Sequence, residues 1–222
     1  MRIQQKGNIV EISLPEQKNE GFLDASQIQY VSLAGNFAKG GASYNGSMRV
    51  FRVIMNYEYL WQNIRVKGGA YGCMSNFNRI GEGYFVSYRD PNLKRTMEIY
   101  EGITDYLKNF TVSERDMTKY IIGTISNIDQ PMTPSAKGDR SMNLYMNHVS
   151  PEMIQRERSE ILEADQEDIR ALAPVVKALL AADQICVIGS EEKIETDKDM
   201  FDVLTSFLTG GRTLLAWCLS PF

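Results

Sequence analysis

One histidine, His148, stands in the whole 222-residue chain, and the three cysteines, Cys73, Cys186 and Cys218, are odd in number and far apart. That shortage excludes several chemistries. A metal-dependent hydrolase needs about three His, Glu or Cys ligands, a bound water and a base. Neither His-x-x-Glu-His nor its reverse occurs, and the cysteine spacing fits no zinc knuckle. His148 closes an amphipathic stretch, where a histidine compensates the helix dipole more readily than it ligates. There is no Gly-x-Ser-x-Gly elbow for a nucleophilic serine, and Gly68-Gly69 lacks the Lys-Ser/Thr ending of a phosphate loop. Glu58 and Asp90 could serve as an acid or base, but neither has a second catalytic group at a suggestive spacing. The cysteines suit reduced, buried thiols. No apolar run approaches the roughly 18 residues of a membrane span, and Met1 to Lys6 has no apolar export core. The expectation is a cytoplasmic protein with no membrane contact. The net charge of −4 and the lack of any aromatic-basic repeat argue against nucleic acid as a partner.

What is present is an ordinary globular composition, 43% hydrophobic with 10% aromatic residues, enough for one good core. The charge is uneven. Residues 39 to 95 hold nine Lys/Arg (Lys39, Arg49, Arg52, Arg65, Lys67, Arg79, Arg89, Lys94, Arg95) against Glu58, Glu82 and Asp90, a local +6 that leaves −10 elsewhere. Such a region can steer an anionic group such as a peptide carboxylate, or it can be a solvated helix face with loop charges.

Val10 to Leu14 alternates as a strand, Pro15 to Gly21 reads as a polar loop, and Ile28 to Ala34 reads as a second strand closed by Gly40-Gly41. From Gly46 to Ile64 the apolar residues recur at three and four, predicting a helix that Lys67-Gly68-Gly69 ends. Ala70 to Phe77 and Gly83 to Tyr88 form a hairpin around Asn78 to Gly81, with Tyr84, Val86 and Tyr88 on one face. Cap signals open the later helices: Asp90-Pro91, Ser113 with Asp116, Thr133-Pro134, Ser150-Pro151, and Asp165 with Asp168. Pro174 should end or kink the last of these. Ile185 to Ile188 is a late strand, and Phe201, Leu204 and Phe207 predict an apolar helix. The fold class is α+β, a mainly antiparallel sheet covered by α-helices on one face, with 1–19 as a preceding strand and linker and 20–222 as a single domain.

The most informative stretch is Leu60 to Gly72, where a helix ends in a cation, breaks at paired glycines and restarts as a strand carrying a phenol. Arg65 and Tyr71 flank a sharp turn, where both could donate to one carbonyl oxygen. Taken alone, Arg65 also reads as a last-turn arginine meeting helix carbonyls, and Tyr71 as a strand-start aromatic packing the core. With Ser87 to Lys94, Tyr120 to Thr124 and Asp129 to Gly138, this stretch resembles the C-terminal part of the pitrilysin (insulinase-type) zinc metallopeptidases, the presequence protease group above all. The resemblance covers roughly residues 20 to 195.

It implies α/β units repeated along a longer chain and folded into two halves around a closed chamber. The zinc would lie in the N-terminal half, with no cofactor in this chain. Arg65 and Tyr71 would reach across to the peptide carbonyl, Gly68 and Gly69 would make the bend, and Asn76, Arg79 and Tyr88 would line the substrate cavity. The partners implied are that N-terminal metal-binding half, on the same polypeptide or a paired subunit, and an unfolded peptide. The chain alone would be inactive, and a fragment of a longer peptidase is the expected origin. The alternative is a non-catalytic peptide-binding or scaffold subunit of the processing-peptidase type.

Overall fold

Alternating burial along the strands divides a six-stranded sheet into a covered and an open face. The computed structural model describes residues 18–207. Its strands are β1 (Glu20–Asp24), β2 (Gln29–Asn36), β3 (Gly72–Phe77), β4 (Glu82–Asp90), β5 (Gln184–Ser190) and β6 (Val203–Ser206), in the order β3-β4-β2-β5-β1-β6. The pairs β3·β4, β4·β2 and β2·β5 are antiparallel, while β1 runs parallel to both β5 and β6. Val31, Leu33, Phe85 and Val187 point into the core, where burying each side chain is worth roughly 1.5–3 kcal/mol.

The core is closed by helices on that face. α1 (Ser47–Ile54) continues through π-helical turns, Met55–Tyr59 and Trp61–Val66, and buries Val50, Phe51, Ile54, Leu60 and Ile64. α2 (Lys94–Glu101) and α3 (Ile103–Lys108) bury Leu93, Met97, Tyr100, Ile103 and Leu107 as the sequence period predicts, with Phe85 of β4 stacked on Tyr100 at 5.7 Å. α4 (Glu114–Ile128), α5 (Pro134–Met146), α6 (Pro151–Leu162), α7 (Gln166–Arg170) and α8 (Ala173–Leu180) follow, then α9 (Glu191–Thr196) after β5. α8 lies against β2, where a side chain on Gly35 would meet the Leu179 carbonyl oxygen at 2.5 Å.

All the expected helix caps but Asp90 are found: Ser113, Thr133 and Ser150 accept from backbone N–H groups and Asp165 and Asp168 form a capping box, while Pro174 sits in the first turn of α8, the preceding helix having ended at Arg170. Three elements differ. Glu20 and Gly21, read as loop, belong to β1. Asp90 is the last residue of β4 rather than a helix cap, and α2 starts at Lys94 with no side-chain cap. Phe201 to Phe207 holds β6 instead of a helix, because parallel pairing with β1 and the Phe22–Phe207 ring stack at 5.5 Å outweigh a three-residue apolar spacing. The strand expected at Val10 to Leu14 lies outside the described residues.

Candidate functional site

The helix that begins as α1 ends in a widened turn. Lys67 N–H donates to the Gln62 carbonyl, five residues back, and the Ile64 and Arg65 carbonyls accept from Ala70 at 3.1 Å and Gly69 at 2.9 Å. Gly69 sits at φ +81°, the left-handed region open to glycine, and a Cβ on Gly68 would lie 2.4 Å from the Ile64 oxygen. Both glycines are therefore required by the bend. Asn92 locks it from the far side, donating its side-chain amide to the Gly68 carbonyl at 2.6 Å.

Out of that bend come two exposed donors. The Arg65 guanidinium carbon lies 4.0 Å from the centroid of the Trp61 ring and 6.0 Å from that of Tyr71. Tyr71 is 60% exposed, so the strand-start phenol is presented to solvent and not packed in the core. Its ring also carries Arg89, whose guanidinium carbon is 5.3 Å from the centroid, and meets Tyr88 at 5.7 Å and 58°. Cation–π attraction at such exposed positions is worth about 0.5–1 kcal/mol. Neither Arg65 nor Arg89 is paired with a carboxylate among the described residues.

Arg89, counted in the sequence among the basic residues of 39 to 95, is brought to the cluster by a strand irregularity. The β2·β4 register shifts between Gln29 and Val31, which pair with Asp90 and Ser87, so that Tyr88 and Arg89 stand opposite Tyr30 alone. Arg89 takes φ +48° in this bulge. A bulge re-aims a side chain, and here it turns a second cation onto Tyr71. Asp-Pro following it was the sole local signal. Asp90 itself is buried and accepts from Asn92 N–H at 2.9 Å and the Thr96 hydroxyl at 2.7 Å, a structural anchor and not a free acid. Burial is the main cause pushing the Cys73 thiol up to about 11, opposed by Arg65, so this cysteine is no nucleophile.

Of the other candidates, Tyr88 joins the cluster and Gly72 explains how: a Cβ there would fall 2.3 Å from the Tyr88 ring, so the glycine leaves the ring its place. Arg79 does not join it. It lies at the far end of the hairpin, about 20 Å away over the six residues of β3 at ~3.3 Å each. There Arg79 and Arg49 both hold the buried Glu157 carboxylate, which also accepts from the Tyr44 hydroxyl at 2.8 Å. Asn76, the next-to-last residue of β3, lines a groove with Arg79 rather than the Arg65 cluster. No three His, Cys, Asp or Glu side chains gather as a metal site among the described residues, and none of the described helices is long and apolar enough to cross a membrane.

Solved structures share this architecture. The chain is similar to the inactive domain of an M16 peptidase from Pseudomonas fluorescens (TM-score 0.55, 13% identity, 81% of this chain and 45% of that one) and to the inactive peptidase domain of a putative zinc protease from Bordetella parapertussis (TM-score 0.56, 12% identity, 74% and 91%). The fold is thus that of an M16 peptidase domain. Residues 19–191 match the PreP C-terminal domain family, and the chain belongs to that family. Among curated proteins it is 47% identical over 192 residues to Protein HypA of Clostridium perfringens, covering 86% of this chain and 20% of that protein. It is 35% identical over 179 residues to Presequence protease 1, chloroplastic/mitochondrial, of Arabidopsis thaliana, covering 80% and 17%. The chain spans about a fifth of the length of these relatives.

Proposed function

We propose that this domain forms part of the wall of a closed chamber in a zinc-dependent oligopeptidase and that Arg65 and Tyr71 bind the scissile peptide carbonyl there. The observation that carries this reading is the pairing itself: a guanidinium and a phenol, exposed side by side on a rigid glycine bend, with no carboxylate claiming the cation among the described residues. Negative charge grows on a carbonyl oxygen when it is attacked. Preorganised donors stabilise that charge, each on the scale of about 2.7–4 kcal/mol. Zinc would be held by another part of the assembled peptidase, since the His, Cys, Asp and Glu side chains described here do not converge.

The open face of the sheet supports a peptide-facing role. A row of partly exposed apolar side chains crosses it from Tyr88 through Tyr30 and Ile188 to Phe22, following the strand register, and ends at Phe207. An extended peptide could lie along such a row, with its carbonyl at the Arg65 and Tyr71 end. In the assembled peptidase, Tyr71→Phe and Arg65→Ala are each expected to lower kcat on the order of a hundredfold with the melting temperature unchanged, because both side chains are exposed. Normal turnover in both variants removes the role.

A further inference from the structure

We propose that the groove between the tip of the β3–β4 hairpin and helices α5 and α6 binds the C-terminal end of a peptide, with Arg140 taking the terminal carboxylate. The groove encloses about 800 Å³, within the range of specific ligand sites. One wall is a single face of α5, carrying Arg140, Asn143, Leu144 and Asn147 at steps of three and four. The other is the hairpin end with Asn76 and Arg79, and Phe77, Val149 and Met153 add apolar lining.

The charges of the groove are not equivalent. Arg49 and Arg79 are both engaged by Glu157, and in the adjoining cavity Arg158 holds Asp129 through two bonds of 2.7 and 2.8 Å. Arg140 makes no direct ion pair among the described residues: it acts on the Asp129 carboxylate only through space, that carboxylate being held by Arg158, and its one hydrogen-bond contact is the Met132 sulfur at 4.0 Å. A single guanidinium with its N–H groups free of any direct ion pair suits a monoanionic carboxylate better than a phosphate, which calls for several free cations. The carboxamides of Asn76 and Asn143 make no hydrogen bond among the described residues, and each offers a donor and an acceptor, as a peptide main chain does. Asn143 stands one helical turn from Arg140, where side chains are neighbours at about 5–6 Å. In a C-terminal residue one Cα separates the carboxylate from the amide N–H, so both can be held at once. A glutamate side chain places further rotatable bonds between them, and their ordering opposes binding. The groove does not draw on Arg65 or Tyr71, which lie at the opposite end of the hairpin.

The test uses the 222-residue chain and an N-terminally fluorescein-labelled peptide of leucine and alanine residues with a free C-terminus, read by fluorescence anisotropy. Saturable binding is expected, weakened about tenfold or more by C-terminal amidation and equally by Arg140→Gln, the loss of one charge-assisted contact. Arg65→Ala should leave it unchanged. Circular dichroism of Arg140→Gln should match the parent, since the side chain is only partly buried on a helix surface. No binding up to roughly 1 mM peptide, equal binding of the amide, or undiminished binding by a folded Arg140→Gln overturns the site. Equal binding of an amidated peptide with an internal glutamate overturns the terminal assignment.

Discussion

Tyr71 owes its position to its neighbours and not to burial. Its backbone N–H donates to the Arg89 carbonyl at 3.3 Å, and its ring rests on Tyr88 between two guanidinium groups. The arrangement depends on a missing side chain. With Gly72→Ala, the new methyl would overlap the Tyr88 ring, whose far end is free to swing aside. The expected result is an altered tyrosine signal in near-UV circular dichroism, with a stability loss of only about 1 kcal/mol, comparable to the loss of one aromatic pair. An unchanged near-UV spectrum would show that Tyr88 does not lie over Gly72. The turn that Arg65 and Tyr71 flank was legible in the sequence because the helix-stop and strand-start signals are strong and adjacent. The place of Arg89 was not, because a left-handed bulge residue is specified by the mismatch between two strands far apart in the chain, not by its own neighbours.

Among the elements, those with local punctuation could be read and those defined by distant pairing could not. Ser113, Thr133, Ser150 and Asp165 each announce a helix by a hydrogen bond made within three residues. β6 has no such mark: Phe201, Leu204 and Phe207 fit a helical spacing, and only β1, far away in the chain, makes them a strand. The π-helical widening of the first long helix was equally hidden, since its apolar spacing differs little from the ordinary one. α5 presents the opposite case, a well-capped helix that buries none of its side chains and exposes Met142, Tyr145 and Met146. Few buried contacts mean a low free energy of local opening. In native-state hydrogen exchange of this chain, α5 amides should exchange well ahead of those in β2, whose residues Val31 and Leu33 are buried. Equal protection of α5 and β2 would contradict this.

At the scale of the molecule, the sheet order β3-β4-β2-β5-β1-β6 places the late strand β5 at the centre, between the early strands β2 and β1. β1 is bonded to β5 and β6 alone, and β5 is also the neighbour that joins β2 to the rest. A chain stopped after Asp183 is therefore expected to lack a cooperative thermal transition by circular dichroism, with Ile185, Val187 and Ile194 gone from the core as well. A sharp melt in that shortened chain would refute the dependence on β5. The same order has a consequence during synthesis. At roughly 5–20 residues per second, β1 leaves the ribosome on the order of ten to thirty seconds before β5 can reach it. Throughout that interval its two bare edges carry Glu20 and Asp24, charges of the kind that discourage a nascent strand from pairing with the chain of a neighbouring ribosome.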